Sequence, residues 1–73
     1  MNIRTLKEKA IEAFTLCISF HKDGKTNEAF LQYGRGKAYM AVLAELTAER
    51  VSTYAPEIKE LDDTAWICLY REV

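Results

Sequence analysis

An all-α fold is predicted for this chain by three features. Apolar residues recur at spacings of three and four from Ile3 to His21. A second helical run, Glu28 to about Tyr54, carries apolar residues over most of its girth. A short turn, Lys22-Asp23-Gly24-Lys25-Thr26-Asn27, joins the two. A connection this short makes the helices antiparallel neighbours. The expected architecture is an antiparallel helical hairpin with a shorter C-terminal helix, a three-helix bundle forming one domain over residues 1–73. Its helices are expected at about 2–22, 27–54 and 56–71.

In the first helix, Ile3, Leu6, Ala10, Phe14, Cys17, Ile18 and His21 form the core-facing stripe, with Leu16 and Phe20 at its edge. Arg4, Glu8, Glu12, Thr15 and Ser19 cluster opposite. Asn2 or Thr5 is suited to cap its start. Gly24 suits the left-handed position that closes a helix, and Thr26 or Asn27 suits the start of the next.

The second helix is the most informative segment. Tyr39, Val42, Leu43 and Leu46 make one stripe on a helical wheel. Phe30, Tyr33, Met40, Ala44 and Val51 make another, and Gly34, Ala38, Ala41 and Ala48 form a lane of small residues between them. A helix apolar on so much of its surface is normally central and buried. Here it must be wrapped by the rest of a small chain or meet a second copy. Gly34 and Gly36 each cost about 1 kcal/mol relative to alanine inside a helix. The apolar pattern passes through them without a change of phase, so the helix is expected to continue, with the glycines admitting another backbone. Ala55 precedes Pro56 and so favours an end near Tyr54.

Pro56 suits a first helical position. Ile58, Leu61, Ala65, Cys68 and Leu69 then share a face, with Trp66 and Val73 beside it. Asp62-Asp63-Thr64 is a point of interruption. A strand at 65–70 competes with the helix, because Trp-Ile-Cys-Leu-Tyr has high strand propensity. It would have to pair across a dimer.

At 73 residues and 49% hydrophobic content, the chain reads as one small globule. A domain this size buries only about 60% of the surface its unfolded form exposes, and oligomerisation is one common source of added stability. Residues 1–37 hold seven Lys/Arg against four Asp/Glu, and residues 38–73 three against seven. These opposed halves suit folding onto each other or onto a second copy. Arg4, Lys7, Glu8 and Lys9 break up the N-terminus, no apolar signal region follows, and no stretch approaches a membrane span. Cys17 and Cys68 form neither a disulfide framework nor a zinc pattern. A cytoplasmic setting with reduced thiols is expected.

No motif carries chemistry. Gly34-Arg35-Gly36-Lys37 lacks the longer loop, the Lys-Ser/Thr pair and the preceding strand of a phosphate cradle. Cys17 and His21 sit one turn apart, but with Cys68 they offer three metal ligands and no fourth. The lone His21 has no acid partner to make it a general base. Glu57, Glu60, Asp62 and Asp63 read as a solvated face near a helix start. No catalytic residue, metal or cofactor is therefore assigned. Tyr39 and Trp66 read as core, whereas Tyr33, Tyr54 and Tyr70 suit a boundary with the ring buried and the hydroxyl wet.

The stretch Phe30-Leu31-Gln32-Tyr33-Gly34-Arg35-Gly36-Lys37-Ala38-Tyr39-Met40-Ala41-Val42-Leu43-Ala44-Glu45-Leu46 resembles the second helix of many small uncharacterised proteins from bacterial and phage genomes. These carry Gly-Arg or Gly-Lys, then Ala-Tyr, then Val-Leu and a final Leu. The resemblance covers less than a third of the chain. It implies a helical hairpin and a bacterial or phage origin, with no activity and no site residues.

The expected function is a non-catalytic protein–protein interaction module. It is expected to form a homodimer through Tyr33, Tyr39, Val42, Leu43, Leu46 and Tyr54. A small nucleic-acid-binding regulator is the alternative, with Lys22, Lys25, Arg35 and Lys37 on phosphates, aided by Arg4 and Lys7. A net charge of −1 does not favour it. A third reading is a phage-type inhibitor docking on a host protein through the acidic C-terminal half.

Overall fold

The computed structural model describes residues 2–71. It is all-α, with α1 at Ile3–Lys22, α2 at Thr26–Thr47, a single turn α3 at Val51–Tyr54, and α4 at Pro56–Tyr70. Among the described residues there is no strand, so 65–70 is helical. None of the helices described is long and apolar enough to cross a membrane. Val73, expected beside the core, lies outside the described residues.

α1 starts where its sequence directs. The Asn2 side chain accepts a hydrogen bond from the Thr5 backbone N–H at 2.8 Å, satisfying one of the free donors of the first turn. Leu6, Ala10, Ala13, Phe14 and Cys17 are buried. Gly24 adopts φ +75°, and the Lys25 N–H returns to the Phe20 carbonyl at 2.8 Å, closing the helix end. The next helix then starts at Thr26 with Lys25 as its cap residue and no side-chain cap bond, so neither Thr26 nor Asn27 serves as the cap.

α2 runs unbroken through Gly34 and Gly36, but it ends at Thr47, seven residues short of the expected Tyr54. Ala48 takes the left-handed conformation at φ 57°. The Thr47 hydroxyl donates to the Leu43 carbonyl at 2.8 Å and accepts from the Glu49 N–H at 3.3 Å, replacing helical bonds. The left-handed alanine costs about 1–2 kcal/mol. The turn it makes carries Val51 and Ala55 into the core beside Ile58, and burial of these apolar groups offsets that cost.

The core is built from Leu6, Ala10, Phe14 and Cys17 of α1, Ala29 and Leu43 of α2, Val51 and Ala55 of the corner, and Ile58, Ala65 and Leu69 of α4. The two α2 glycines have different surroundings. A Cβ on Gly36 would lie 2.6 Å from the fully buried Phe14 ring, whereas one on Gly34 would meet nothing within 4 Å. The close approach at Gly36 is therefore by a side chain, the Phe14 ring, and not by a backbone. α4 passes through Asp62-Asp63-Thr64 without interruption.

α2 is not the wrapped central helix that its composition suggests. Only Ala29, Gly36 and Leu43 of it are buried, and the Gly34, Ala38 and Ala41 lane faces outward. The accessible surface of 4785 Å² is close to the ~4600 Å² expected of a folded monomer of this mass. The exposure of α2 thus comes from where its side chains point, not from loose packing.

The two glycines should respond in opposite directions to alanine. Gly34→Ala should stabilise the fold by about 1 kcal/mol through helix propensity. Gly36→Ala should destabilise it, because overpacking against the Phe14 ring, typically about 1–3 kcal/mol, exceeds that gain. Urea denaturation of the two variants checks both signs.

Candidate interaction surface

The one buried charged side chain described is Asp62, 5% exposed, on the stripe Ile58, Asp62, Ala65, Leu69 of α4. A buried carboxylate needs partners, and α2 supplies two from positions one turn apart. The Tyr33 hydroxyl donates to Asp62 Oδ1 at 2.8 Å, and Lys37 Nζ donates to Oδ2 at 3.0 Å. Among the described residues no buried side-chain polar atom lacks a partner. Burial raises the Tyr33 phenol above its ordinary pKa, and the hydrogen bond to Asp62 adds to the shift. The shift follows because ionised Tyr33 would be desolvated and would face a carboxylate without a proton between them.

Aromatic rings continue outward from this node. Tyr33 packs on Phe14 at a centroid distance of 5.8 Å and on Tyr70 at 6.3 Å. Tyr70 in turn meets Phe30 at 5.6 Å and Trp66 at 5.6 Å. Phe30, Trp66 and Tyr70 all remain exposed, so Trp66 is not the core residue its place on the helical wheel implies. The rings form a surface patch astride α2 and α4.

The residues expected at an interface divide into three groups. Val42 and Leu46 are 42% and 56% exposed on α2, joined by Leu31 at 63%. Leu43 is fully buried and cannot touch a second molecule; it faces the core with Ala29 and Gly36. Tyr33, Tyr39 and Tyr54 are half-buried and already engaged. Tyr33 is held by Asp62, Tyr39 accepts from Arg35 at 3.5 Å, and the Tyr54 ring lies 5.2 Å from Lys7 Nζ.

The cations proposed for phosphate contact do not converge. Lys37 is committed to Asp62. Arg4 pairs with Glu8 and Lys7 with Glu57, each at 3.5 Å. Lys22 and Lys25 are exposed at the α1–α2 connection, with Lys25 Nζ 5.8 Å from the Phe20 ring. Among the acidic residues, Asp63 pairs with Lys59 within α4. Among the described residues no group of His, Cys, Asp and Glu could hold a metal ion. Cys17 is buried and Cys68 half-buried, both as free thiols. Burial, and then neighbouring Cys68, push the Cys17 thiol up, which keeps it a neutral apolar filler.

Compared with known proteins, the chain matches no family model, no curated protein and no solved structure.

The Asp62 node that sequence reasoning missed had a visible signal. Asp62 falls in phase with Ile58, Ala65 and Leu69, and Tyr33 and Lys37 fall in phase with each other. Tyr33→Phe should cost about 1.5–3 kcal/mol at neutral pH, the worth of a hydrogen bond to a charged group. Because the fold raises the phenol pKa, Tyr33 supports stability fully below pH ~10, where unfolded tyrosine is neutral, and loses that support as pH rises further. The variant should therefore lose less stability than the parent between neutral and strongly alkaline pH. Denaturant titrations across that range check this; equal alkaline slopes would remove Tyr33 as the responsible group.

Proposed function

We propose that this protein is a non-catalytic interaction module that associates with a second copy of itself through the outer face of α2. The module is an antiparallel hairpin of α1 and α2 with α4 packed across it, and its free thiols suit the reducing cytoplasm. The observation that carries the reading is the inverted polarity of α2. Its core side uses Ala29, Gly36 and Leu43, while Leu31, Val42 and Leu46 stand in water. Fully burying one such side chain is worth about 1.5–3 kcal/mol, and this monomer leaves three of them on one helix incompletely buried. One helix face with three large exposed apolar residues is narrow beside the roughly 20–30 residues a side of a standard interface, so the association is weak and reversible.

Light scattering behind a sizing column, over a dilution series, tests the proposal. The mass should fall from twice 8.4 kDa toward 8.4 kDa on dilution. A mass that stays at the single-chain value at every concentration overturns it. Two neighbouring substitutions separate assembly from folding. Val42→Asp should abolish association while leaving helicity, and the melting of the dilute single chain, intact, since Val42 is exposed. Leu43→Asp should cost about 3–5 kcal/mol by stranding a charge in the core, and should unfold much of the population. Lys25→Ala should do neither.

A further inference from the structure

The charges on the outer face of α2 select one geometry for that association. Leu31, Arg35, Ala38, Val42 and Glu45 recur at spacings of four and three, and all are exposed. They lie opposite Ala29, Gly36 and Leu43, which face the core. Among the described residues neither Arg35 nor Glu45 has an ion-pair partner. Arg35 makes only a long 3.5 Å hydrogen bond to the Tyr39 hydroxyl.

We infer that two copies pair α2 against α2 in antiparallel fashion about a twofold axis level with Met40. This rests on the self-association proposed above and adds its register. In that register Arg35 lies in the same layer as Glu45 of the second copy, and the twofold repeats the pair at the other end. Between them, Ala38 shares a layer with Val42 of the second copy, so a small residue sits beside a larger one in both central layers. Gly34, Ala38 and Ala41 project no bulk, which lets helix axes come to the near end of the usual 8–10 Å separation. Leu46 flanks the aliphatic stem of Arg35 of the second copy and covers it. A parallel pairing in register would instead set Arg35 on Arg35 and Glu45 on Glu45. Like charges across an interface disfavour that arrangement, so the two charged positions discriminate between orientations.

Charge reversal tests the register with little risk to the fold, since both side chains are exposed. Arg35→Glu alone and Glu45→Arg alone should each raise the dimer dissociation constant about tenfold at low ionic strength, because each places two like-charge contacts in the interface. The double variant R35E/E45R should return to within about twofold of the parent. An equimolar mixture of the two single variants should recover association as a heterodimer, because both contacts are then opposite in sign. Circular dichroism should report unchanged helicity throughout. If the parent dimerises but the single reversals leave its dissociation constant unmoved, or the double variant and the mixture fail to recover it, the antiparallel register is overturned and self-association stands. If the parent is monomeric at every concentration, both are overturned.

Discussion

The seat of the Phe14 ring on Gly36 is the contact on which the rest of the structure depends. The ring is fully buried, and no side chain larger than hydrogen fits beneath it. Its contact sets how closely α1 and α2 approach. That approach in turn places Tyr33, three residues before Gly36, against the Phe14 ring and within reach of α4. A glycine inside a helix costs about 1 kcal/mol. At Gly36 the cost is offset by burial of a phenyl ring, which is worth about 1.5–3 kcal/mol.

Asp62 does a different kind of work. A buried carboxylate loses its hydration, and the attraction of Lys37 and the hydrogen bond from Tyr33 largely restore what was lost without much net gain. The contribution lies in register. Sliding α4 by one turn along α2 would carry Asp62 away from both donors and leave a buried charge without partners, a cost of about 3–5 kcal/mol. The apolar stripe of α4 alone, Ile58, Ala65 and Leu69, would tolerate such a slide better. The ion pair therefore holds the one alignment in which Tyr70 reaches Phe30 and Tyr33, and the aromatic patch is a consequence of it.

Much of this was legible in the residues. The α1 stripe, the Gly24 stop and Pro56 as a helix start all act through local rules that hold whatever surrounds them. The end of α2 was not legible, because the left-handed residue is Ala48 rather than glycine or asparagine. The force that puts it there is burial of Val51 and Ala55, which no local pattern reports. The orientation of α2 was equally hidden. A helix apolar on nearly every side offers no polar face to mark the outside. The residue that decides its rotation is Gly36, whose need for space beside Phe14 is invisible to a hydropathy count. Trp66 was misplaced for a related reason. Its position beside the apolar stripe of α4 says nothing of whether a neighbouring helix extends far enough to cover it. Asp62 was visible in its phase but disguised by Glu60 and Asp63 beside it, which made it look like part of a solvated run.

The two sides of α2 together explain why its pattern looks contradictory. A helix that serves only its own core places large apolar residues inside and polar ones outside. α2 places only one large apolar residue, Leu43, inside with Ala29 and Gly36, where the Phe14 ring from α1 fills the space beside the glycine, and leaves Leu31, Val42 and Leu46 outside. The small residues inside are required by close approach to α1. The small residues outside, Gly34 above all, have no such requirement within the chain, since nothing lies within 4 Å of the space a side chain there would fill. Its helix cost is therefore repaid by no contact the single chain makes. The outer face combines uncovered large side chains, an uncompensated glycine and two charges of opposite sign that have no ion-pair partner among the described residues, and this is the composition on which the proposed pairing with a second α2 rests.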